Sequence, residues 1–276
     1  MQPVTRNCSP EPEPEKVGLG LLTTRKVFCL NNDSTLRFTR VSEQSAVQAA
    51  FSDAIRAAQD ELSVEIAASP EQVLEAQRLR YRVYCEERGF EPGRNGLEQD
   101  EFDTASRHAL VRSRATGTVL GTVRVVLSSA ESGLNGFPMR RACEPWVLAP
   151  LPLASTGEIS RFALARDRAG ISPGAAALMR LCLVRGVVQI SAESELTHWC
   201  AIMERSLLRL LRATAIHFVP VGPAVEYHGT RQPAVCGVGT MLRRMKLEQP
   251  VVWAFITHNG ALWPEANVAH RRSSQA

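Results

Sequence analysis

The stretch "GEISRFALAR", residues 157–166, decides the fold prediction because it combines strand-forming residues with two opposite charges. Ile159 and Leu164 favour a strand, and a glycine opens the run. Glu158 and Arg161, however, occupy positions where a central strand is normally apolar. We therefore interpret this segment as a core strand that carries functional or anchoring polar groups.

The spacing of these charges predicts where they point. Side chains alternate along a strand, so Glu158 and Ser160 are expected on one face and Arg161 on the other. The two charges are then unlikely partners for each other. We expect Glu158 to face the reacting groups and Arg161 to face an acidic segment elsewhere in the chain.

Elements on either side of this strand predict an α/β fold: a single domain with a central mixed, mostly antiparallel twisted sheet flanked by helices. The predicted helices cover residues 43–61, 70–88, 173–194 and 204–215. The predicted strands cover residues 62–68, 108–114, 118–129, 157–166, 197–203, 216–222 and 250–257.

The segment "GISPG", residues 170–174, matches the G-x-S-x-G pattern of serine hydrolases, but the chemistry does not fit. The residue after the serine must give its backbone N–H to an oxyanion hole, and Pro173 has none. Ser172 as an N-cap and Pro173 as the first helical residue is the better interpretation. In the same way, Ser69 and Pro70 predict the start of the helix from residue 70.

Composition divides the chain into four predicted parts. Residues 1–24 are rich in proline and glutamate and are expected to be disordered, and residues 25–61 form a helical extension. Residues 62–260 form the main domain, and residues 261–276 a tail. The absence of a signal pattern and of C-x-x-C pairs favours a cytoplasmic protein with no metal site and no spanning helix.

The net charge of +4 is too small to indicate nucleic-acid binding, and no helix-turn-helix pattern supports it. Basic residues outnumber acidic ones from Arg161 onward, so this half could bind an acidic partner. Acidic residues cluster instead just before the first hairpin. These acids, Glu98, Asp100, Glu101 and Asp103, could bind a cation. Ion pairs with the arginines of the preceding helix are the simpler interpretation, and those arginines are Arg78, Arg80 and Arg82.

Two further segments suggest ligand binding. The start of the helix at Pro173 offers free N–H groups that attract a phosphate, and Arg166 and Arg168 lie just before it. We therefore predict a site for the donor phosphate formed by Arg166, Arg168 and Gly174. The segment "EYHGTRQP", residues 226–233, combines glycine, proline and polar groups. We interpret it as a loop that contributes to the acceptor site through Tyr227, His228 and Arg231.

Four linked motifs, "RLRYRVYCEERGF", "LEQDEFD", "GTVRVV" and "EISRFAL", resemble the acyl-homoserine-lactone synthase branch of the GNAT acyltransferase superfamily. The sequence is more similar still to the PEP-CTERM/exosortase system-associated acyltransferases, relatives of the N-acyl amino acid synthases, through "MERSLLRLL" and "VEYHGTRQP". The residues that fall on the branch's shared polar and aromatic cluster are Arg80, Tyr84, Phe90, Asp100, Asp103, Arg124, Glu158, Ser160 and Arg161.

This resemblance implies a GNAT fold, an acyl donor held as a thioester on acyl carrier protein or CoA, an amino group as acceptor, and no bound cofactor. Because the usual GNAT pyrophosphate loop is not cleanly present, a carrier-protein donor is favoured over free CoA. Phe162 joins the predicted substrate-binding residues.

Amide formation from a thioester requires a neutral amine, so a base must remove a proton. A half-buried carboxylate has a raised pKa and suits this task, and Glu158, assisted by Ser160, is the predicted base. Backbone N–H groups near Phe162 to Leu164 are expected to meet the oxyanion. The alternative is a catalytically silent GNAT-like scaffold that binds an acyl carrier or an envelope-assembly partner.

Overall fold

A computed structural model describes residues 49–90, 93–128 and 136–263 of the chain. The predicted disordered segment 1–24, the first part of the helical extension and most of the predicted tail lie outside the described residues. The predicted domain boundary at residue 62 stays a prediction.

The described helices agree with four of the predicted segments and add two more. They are α1 (49–61), α2 (Pro70–Arg80), α3 (Pro173–Glu193), α4 (Arg205–Ala213), α5 (Val238–Glu248) and α6 (Pro250–Thr257). The described strands are β1 (Leu62–Ile66), β2 (Ser106–Ser113), β3 (Val119–Leu127), β4 (Thr156–Leu164), β5 (His198–Met203), β6 (Val219–Pro220), β7 (Val225–Glu226) and β8 (Thr230–Gly237).

The strands form one mixed sheet in the order β1-β2-β3-β4-β5-β8-β6, and β7 pairs with β8. Among the described pairings, β4 with β5 is parallel and the others are antiparallel. The prediction of a mixed, mostly antiparallel sheet flanked by helices is therefore confirmed.

Helix α3 packs across the sheet over β1 to β4, whereas α2 packs against β2, β3 and β4. Close packing of α3 depends on Gly186, because a Cβ atom there would lie 2.4 Å from the Cβ atom of Ala109 on β2. By length and hydropathy α3 could span a membrane, but 67% of its most apolar window is buried inside the protein. That burial is typical of the core helix of a soluble domain.

Helix starts follow the predicted capping residues. The Ser69 hydroxyl accepts a hydrogen bond from the Gln72 N–H, and the Gln72 Oε1 atom accepts one from the Ser69 N–H, with Pro70 in the first turn. The Ser172 hydroxyl accepts from the Ala175 N–H, and Pro173 begins α3. These caps satisfy N–H groups that a helix leaves without intrahelical partners.

After α2 the chain continues as a π-helical turn over Tyr81–Glu86, within the predicted helix 70–88. A 3₁₀ turn over Glu101–Ala105 then leads into β2. Asp100 caps this turn, because its side chain accepts from the Phe102 N–H while Asp103 accepts from the Asp100 N–H. Hydrogen bonds from its own side chains therefore stabilise the conformation of the acidic segment.

The C-terminal predictions were partly wrong. Residues 250–257 form α6 and not a strand, because Pro250 starts a helix and a short apolar run fits either a strand or a buried helix. The predicted strand 216–222 is reduced to Val219–Pro220. The sequence analysis also missed β8 and α5; much of the predicted loop 226–233 lies in β7 and β8.

Candidate active site

The centre of the sheet opens where β4 and β5 separate. The two strands pair in parallel only from Thr156 to Glu158, opposite His198 to Cys200. Beyond Glu158 they diverge, and a cavity of about 510 Å³ lies there, bounded by β4, β5, α3 and α4. Its volume is within the range of small-molecule sites.

A bulge in β4 lies beside this opening. Arg161 has a φ of +52°, and the register with β3 shifts between Thr122 and Arg124, so two residues of β4 oppose one of β3. The bulge changes the direction of the strand where it leaves β5. It also breaks the simple alternation of side chains that the sequence analysis assumed.

Glu158 lines the cavity and is 3% exposed. Its Oε2 atom accepts a hydrogen bond of 2.9 Å from the Met139 N–H. Burial raises the pKa of Glu158 to about 8, and this effect outweighs the Met139 hydrogen bond and the charges of Arg124 and Arg161, which lower it. A carboxyl group with such a pKa can exchange protons near neutral pH.

Ser160 also lines the cavity, and its hydroxyl accepts a 3.1 Å hydrogen bond from Nε of Arg124. The guanidinium group thus fixes the orientation of the Ser160 oxygen. Glu158 and Ser160 both reach the same cavity, as predicted. A further role of Ser160 in catalysis stays a prediction.

Three arginines and three carboxylates form a network behind the cavity. Arg80 and Arg124 are fully buried; Arg80 binds Glu98 and Asp103, and Arg124 binds Asp100 and Asp103. The N–O distances of these four ion pairs lie between 2.5 and 2.9 Å. Glu98, which the motif comparison did not mark, is 3% exposed and completes the network.

Charge compensation keeps this network ionised. Burial acts to raise the pKa of Asp103, but hydrogen bonds and charges from Arg80 and Arg124 outweigh it and lower the pKa below its ordinary value. The pKa values of Glu98 and Asp100 are lowered by arginines in the same way, against their burial. The ion-pair interpretation of the acidic cluster fits this geometry, and no group of three metal-ligating side chains occurs among the described residues.

Arg161 reaches the aspartates as predicted, but not for the predicted reason. Its Nε donates to Glu98 at 2.9 Å, and its Nη2 donates to Asp100 at 3.1 Å. The same Asp100 binds Arg124, whose Nε contacts Ser160. Arg161 therefore lies on the same side of the sheet as Ser160, because the bulge reverses the direction in which its side chain points. The prediction that the two side chains lie on opposite faces was wrong.

Aromatic side chains form the outer wall of the cavity. The Tyr84 hydroxyl donates to the carbonyl of Phe162 at 3.1 Å. The Tyr84 ring stacks on Phe90 at 6.5 Å between centroids, and Phe90 stacks on His228 at 5.2 Å. Tyr227 contacts His228 edge-on at 4.7 Å. The structure thus brings the predicted acceptor residues to the same cavity as Glu158.

Arg231 supports this aromatic wall. Its guanidinium donates to the carbonyls of Tyr227 at 2.7 Å and His228 at 3.0 Å and pairs with Glu204 at 3.1 Å. These bonds fix the turn between β7 and β8. They favour a positioning function for Arg231 over direct contact with a substrate.

The predicted donor-phosphate residues are only partly brought together. Arg166 and Arg168 line the cavity, but Arg166 pairs with Glu87 at 2.9 Å. Gly174 does not line it; a Cβ atom there would lie 3.4 Å from Cα of Ala54 on α1. Gly174 packs beside α1, and its assignment to a phosphate site stays a prediction.

Sequence reasoning missed a second arginine at this end of the cavity. Arg180 on α3 lines it, and partial burial and the charge of Arg168 lower the pKa of Arg180. No ion pair joins Arg180 to another described residue. The signal in the sequence was an arginine within an otherwise apolar helix.

Comparison with known proteins supports the fold. Residues 79–171 match the family model of the acetyltransferase (GNAT) domain. A search of curated protein sequences finds no match.

Three solved structures illustrate the likeness. The AHL synthase LasI is 20% identical with a TM-score of 0.50, and the match covers 63% of this chain and 88% of LasI. FeeM, an N-acyl amino acid synthase from uncultured soil microbes, is 17% identical with a TM-score of 0.51, and the match covers 69% of this chain and 98% of FeeM. The CoA-dependent acyl-homoserine lactone synthase MesI is 19% identical with a TM-score of 0.50, and the match covers 68% of this chain and 96% of MesI.

At these identities the solved structures show the shared fold alone. The domain match spans the residues from α2 to the loop before α3, which include Glu158 and the whole arginine network. This part of the chain therefore matches an acetyltransferase (GNAT) domain, and the sheet and helices around it have the GNAT fold.

Proposed function

We propose that this protein moves a fatty acyl group from a thioester donor to the amino group of a small amino-acid-like acceptor. The observation that carries the proposal is the cavity between β4 and β5, which has the buried Glu158 in its wall and a long apolar lining. The apolar side chains come from β5, α3, α4 and the segment after α4; they are Val184, Val187, Trp199, Ile202, Leu207, Leu210, Leu211, Ile216 and Phe218.

The apolar lining supports an aliphatic acyl chain as cargo. Burying methylene groups in such a wall contributes about 0.8 kcal/mol each, so a fatty acyl group would bind more tightly than an acetyl group. Acetyl transfer would leave most of this surface in contact with water. The cavity thus favours a fatty acyl donor.

Glu158 is the proposed base. Its ionised carboxylate accepts a proton from the acceptor's ammonium group, and the neutral amine nitrogen then attacks the thioester carbon. The C–N bond forms, the nitrogen loses its second proton, and the C–S bond breaks, so that the sulfur leaves as a thiolate that takes up that proton. Because a thioester is already activated, no side-chain nucleophile is required.

Backbone groups of β4 are the proposed oxyanion donors. Beyond Glu158 the edge of β4 that faced β5 has no strand partner among the described residues, so its N–H groups near Phe162 to Leu164 are available. Such donors stabilise the negative charge that develops on the thioester oxygen. The Arg161 bulge would set their direction.

Arg168 and Arg180 are the proposed site for a donor phosphate. Both line the cavity, and neither is paired with an acidic residue among those described. Two guanidinium groups at one end suit a single phosphate, as on the phosphopantetheine arm of acyl carrier protein. MesI is a CoA-dependent enzyme, so CoA is the alternative donor.

Helix α4 offers a docking surface for an acidic acyl carrier protein. Arg205, Arg209 and Arg212 are exposed and share one face of the helix by their spacing of four and three residues. No described residue forms an ion pair with them. The opposite side of α4 lines the cavity through Leu207 and Leu211, so a carrier bound here would lie next to the acyl site.

A thiol-release assay on the purified protein tests the proposal. It uses acyl carrier protein and CoA thioesters from acetyl to palmitoyl, with a mixture of amino acids as acceptors. We expect fatty acyl donors to release thiol, in the presence of an amine, faster than acetyl donors. Binding of acylated carrier without amine-dependent thiol release would support the scaffold alternative.

The setting of the protein is also proposed from the resemblance. Its association with a PEP-CTERM/exosortase system and its place in the cytoplasm stay predictions. Cys143, Cys182, Cys200 and Cys236 are free thiols, which supports a reducing compartment.

A further inference from the structure

A second cavity lies on the other side of α3. It has a volume of about 330 Å³ and is bounded by α1, β1, α3 and the end of α6. Val184 and Val187 of α3 line the first cavity, whereas Cys182 and Arg185 line the second. One core helix thus separates two cavities with different walls.

The second cavity is cationic. Its lining includes Arg114, Arg185 and His258, and none of its lining residues carries a carboxylate. Apolar groups form the remaining surface, among them Ala58, Leu62, Val64 and Phe255. A cavity of this composition is suited to a small anion with room for an apolar part.

Arg185 is the unusual member of this lining. It is half-buried on α3, and no described residue accepts a hydrogen bond from it or pairs with its charge. Burial lowers the pKa of Arg185, and the nearby charge of Arg114 lowers it further. A partly buried cation without a partner costs free energy, which an anion would recover.

Arg114 is held in place without an acid. Its Nε atom donates to the carbonyls of Gln59 at 3.0 Å and Leu62 at 2.9 Å, at the junction of α1 and β1. The guanidinium is therefore oriented before any ligand arrives. The oriented Arg114 and the nearby Arg185 put two like charges beside one cavity, which favours the binding of an anion.

We propose that this cavity binds a small oxyanion, a phosphate or carboxylate group, between Arg114 and Arg185. The bound anion would bridge the α1–β1 junction and α3. Glu61, at the end of α1, already accepts a 2.7 Å hydrogen bond from the Ser172 N–H at the start of α3. The ligand would therefore strengthen an existing contact between the helices, independently of acyl transfer.

Calorimetric titration of the full chain with inorganic phosphate and with octanoate tests this site. We expect at least one of the two anions to bind, and Arg185→Gln to weaken that binding about tenfold, which corresponds to about 1.4 kcal/mol. Arg185→Lys should retain part of the affinity. Binding of only one anion identifies the head group that the site takes.

Two other variants separate this site from the first cavity. Arg180→Gln removes a cation of the first cavity and should leave the Arg185-dependent binding intact, as should Arg243→Gln on the exposed face of α5. Absence of binding by both anions, or equal binding by wild type and Arg185→Gln, would overturn the proposal.

Thermal unfolding without ligand gives an independent measurement. Arg185→Met keeps an unbranched apolar stem and removes an unpaired, half-buried charge, so its melting temperature should equal or exceed that of wild type. Phosphate or octanoate should raise the melting temperature of wild type and not that of the variant. A variant that melts at a lower temperature would show that Arg185 has a structural partner and would contradict the proposal.

Discussion

At the scale of single residues, the chemistry depends on how Glu158 is buried. Its carboxyl group faces the cavity, receives one backbone hydrogen bond, and forms no ion pair with a described arginine. The surrounding carboxylates behave in the opposite way, because each of them bonds to arginines that lower its pKa. Two classes of carboxyl group therefore exist within one site, and only Glu158 is poised to exchange a proton near neutral pH.

We predict that the rate of acyl transfer rises with pH until Glu158 is ionised, at a pKa of about 8. Glu158→Gln keeps the hydrogen bond to Met139 but cannot accept a proton, so the rate should fall about 10²–10⁴-fold. Steady-state rates across the pH range measure this, with Glu193→Gln at an exposed ion pair as the matched control. A variant with wild-type rates would remove Glu158 as the base.

The same residue should make stability depend on pH. The folded pKa is raised from 4.5 to about 8, so the folded state binds the proton more tightly than the unfolded state. The stability from this group is fully present below pH 4.5 and is lost as the pH rises through about 8. Chemical denaturation should show wild type losing stability relative to Glu158→Gln over this interval. A constant difference between the two proteins would contradict the burial of the carboxyl group.

At the scale of elements, β4 is joined to the acidic segment by buried ion pairs. Arg124 on β3 and Arg161 on β4 hold Asp100, and Arg80 on α2 holds Glu98 and Asp103. The acidic segment is thereby fixed between helix and sheet, next to the cavity. We propose that it positions the strand that carries Glu158.

We predict that Arg124→Met destabilises the protein by about 3–5 kcal/mol, because Asp100 and Asp103 lose a buried partner. Urea denaturation measures this change in the free energy of unfolding. The control is Glu248→Gln, which removes the exposed contacts of this carboxylate with Arg244 and His217 and should change the free energy of unfolding much less. Similar effects of the two variants would show that the network contributes little to stability.

Local sequence patterns predicted most of these elements. Capping residues located the starts of α2 and α3, and alternating apolar residues located the hairpin of β2 and β3. The bulge at Arg161 was not predictable, because no neighbouring residue requires an arginine with a left-handed backbone conformation there. Its partners Glu98 and Asp100 are about 60 residues away in sequence. Strand β8 was missed for a related reason, since Pro233 and the polar residues at its start are typical of a loop.

The site predictions agree with the structure where a charge required a partner. The arginine and aspartate pairs followed from the cost of burying charges. The packing of α1 beside Gly174 was not predictable, because no local pattern shows which helix packs on which face. Arg180 was missed because its function is defined by the cavity it borders, which exists only in the folded protein.

At the scale of the whole molecule, the cavity and α4 together determine how a donor would approach. The apolar inner face of α4 borders the acyl cavity, and its outer face carries Arg205, Arg209 and Arg212. An acidic carrier protein bound to the outer face would need to extend its arm by only the thickness of one helix. The arrangement agrees with the excess of basic over acidic residues from Arg161 onward.

We predict that replacing Arg205, Arg209 and Arg212 together by glutamine slows transfer from an acyl carrier protein but not from acyl-CoA. The carrier-dependent rate of wild type should also fall as salt is raised, because salt screens exposed charges. Parallel assays with the two donors measure both effects. A carrier-dependent rate that is unaffected by salt and by the triple substitution would contradict this docking surface.

The most direct test of the central claim is mass spectrometry of lipids from cells that express either wild type or Glu158→Gln at equal levels. The account predicts that wild type produces new N-acylated amino compounds with fatty acyl chains and that the variant does not. Equal amounts of such products from both proteins, or no N-acyl product from wild type, would contradict the assignment of this site to amine acylation.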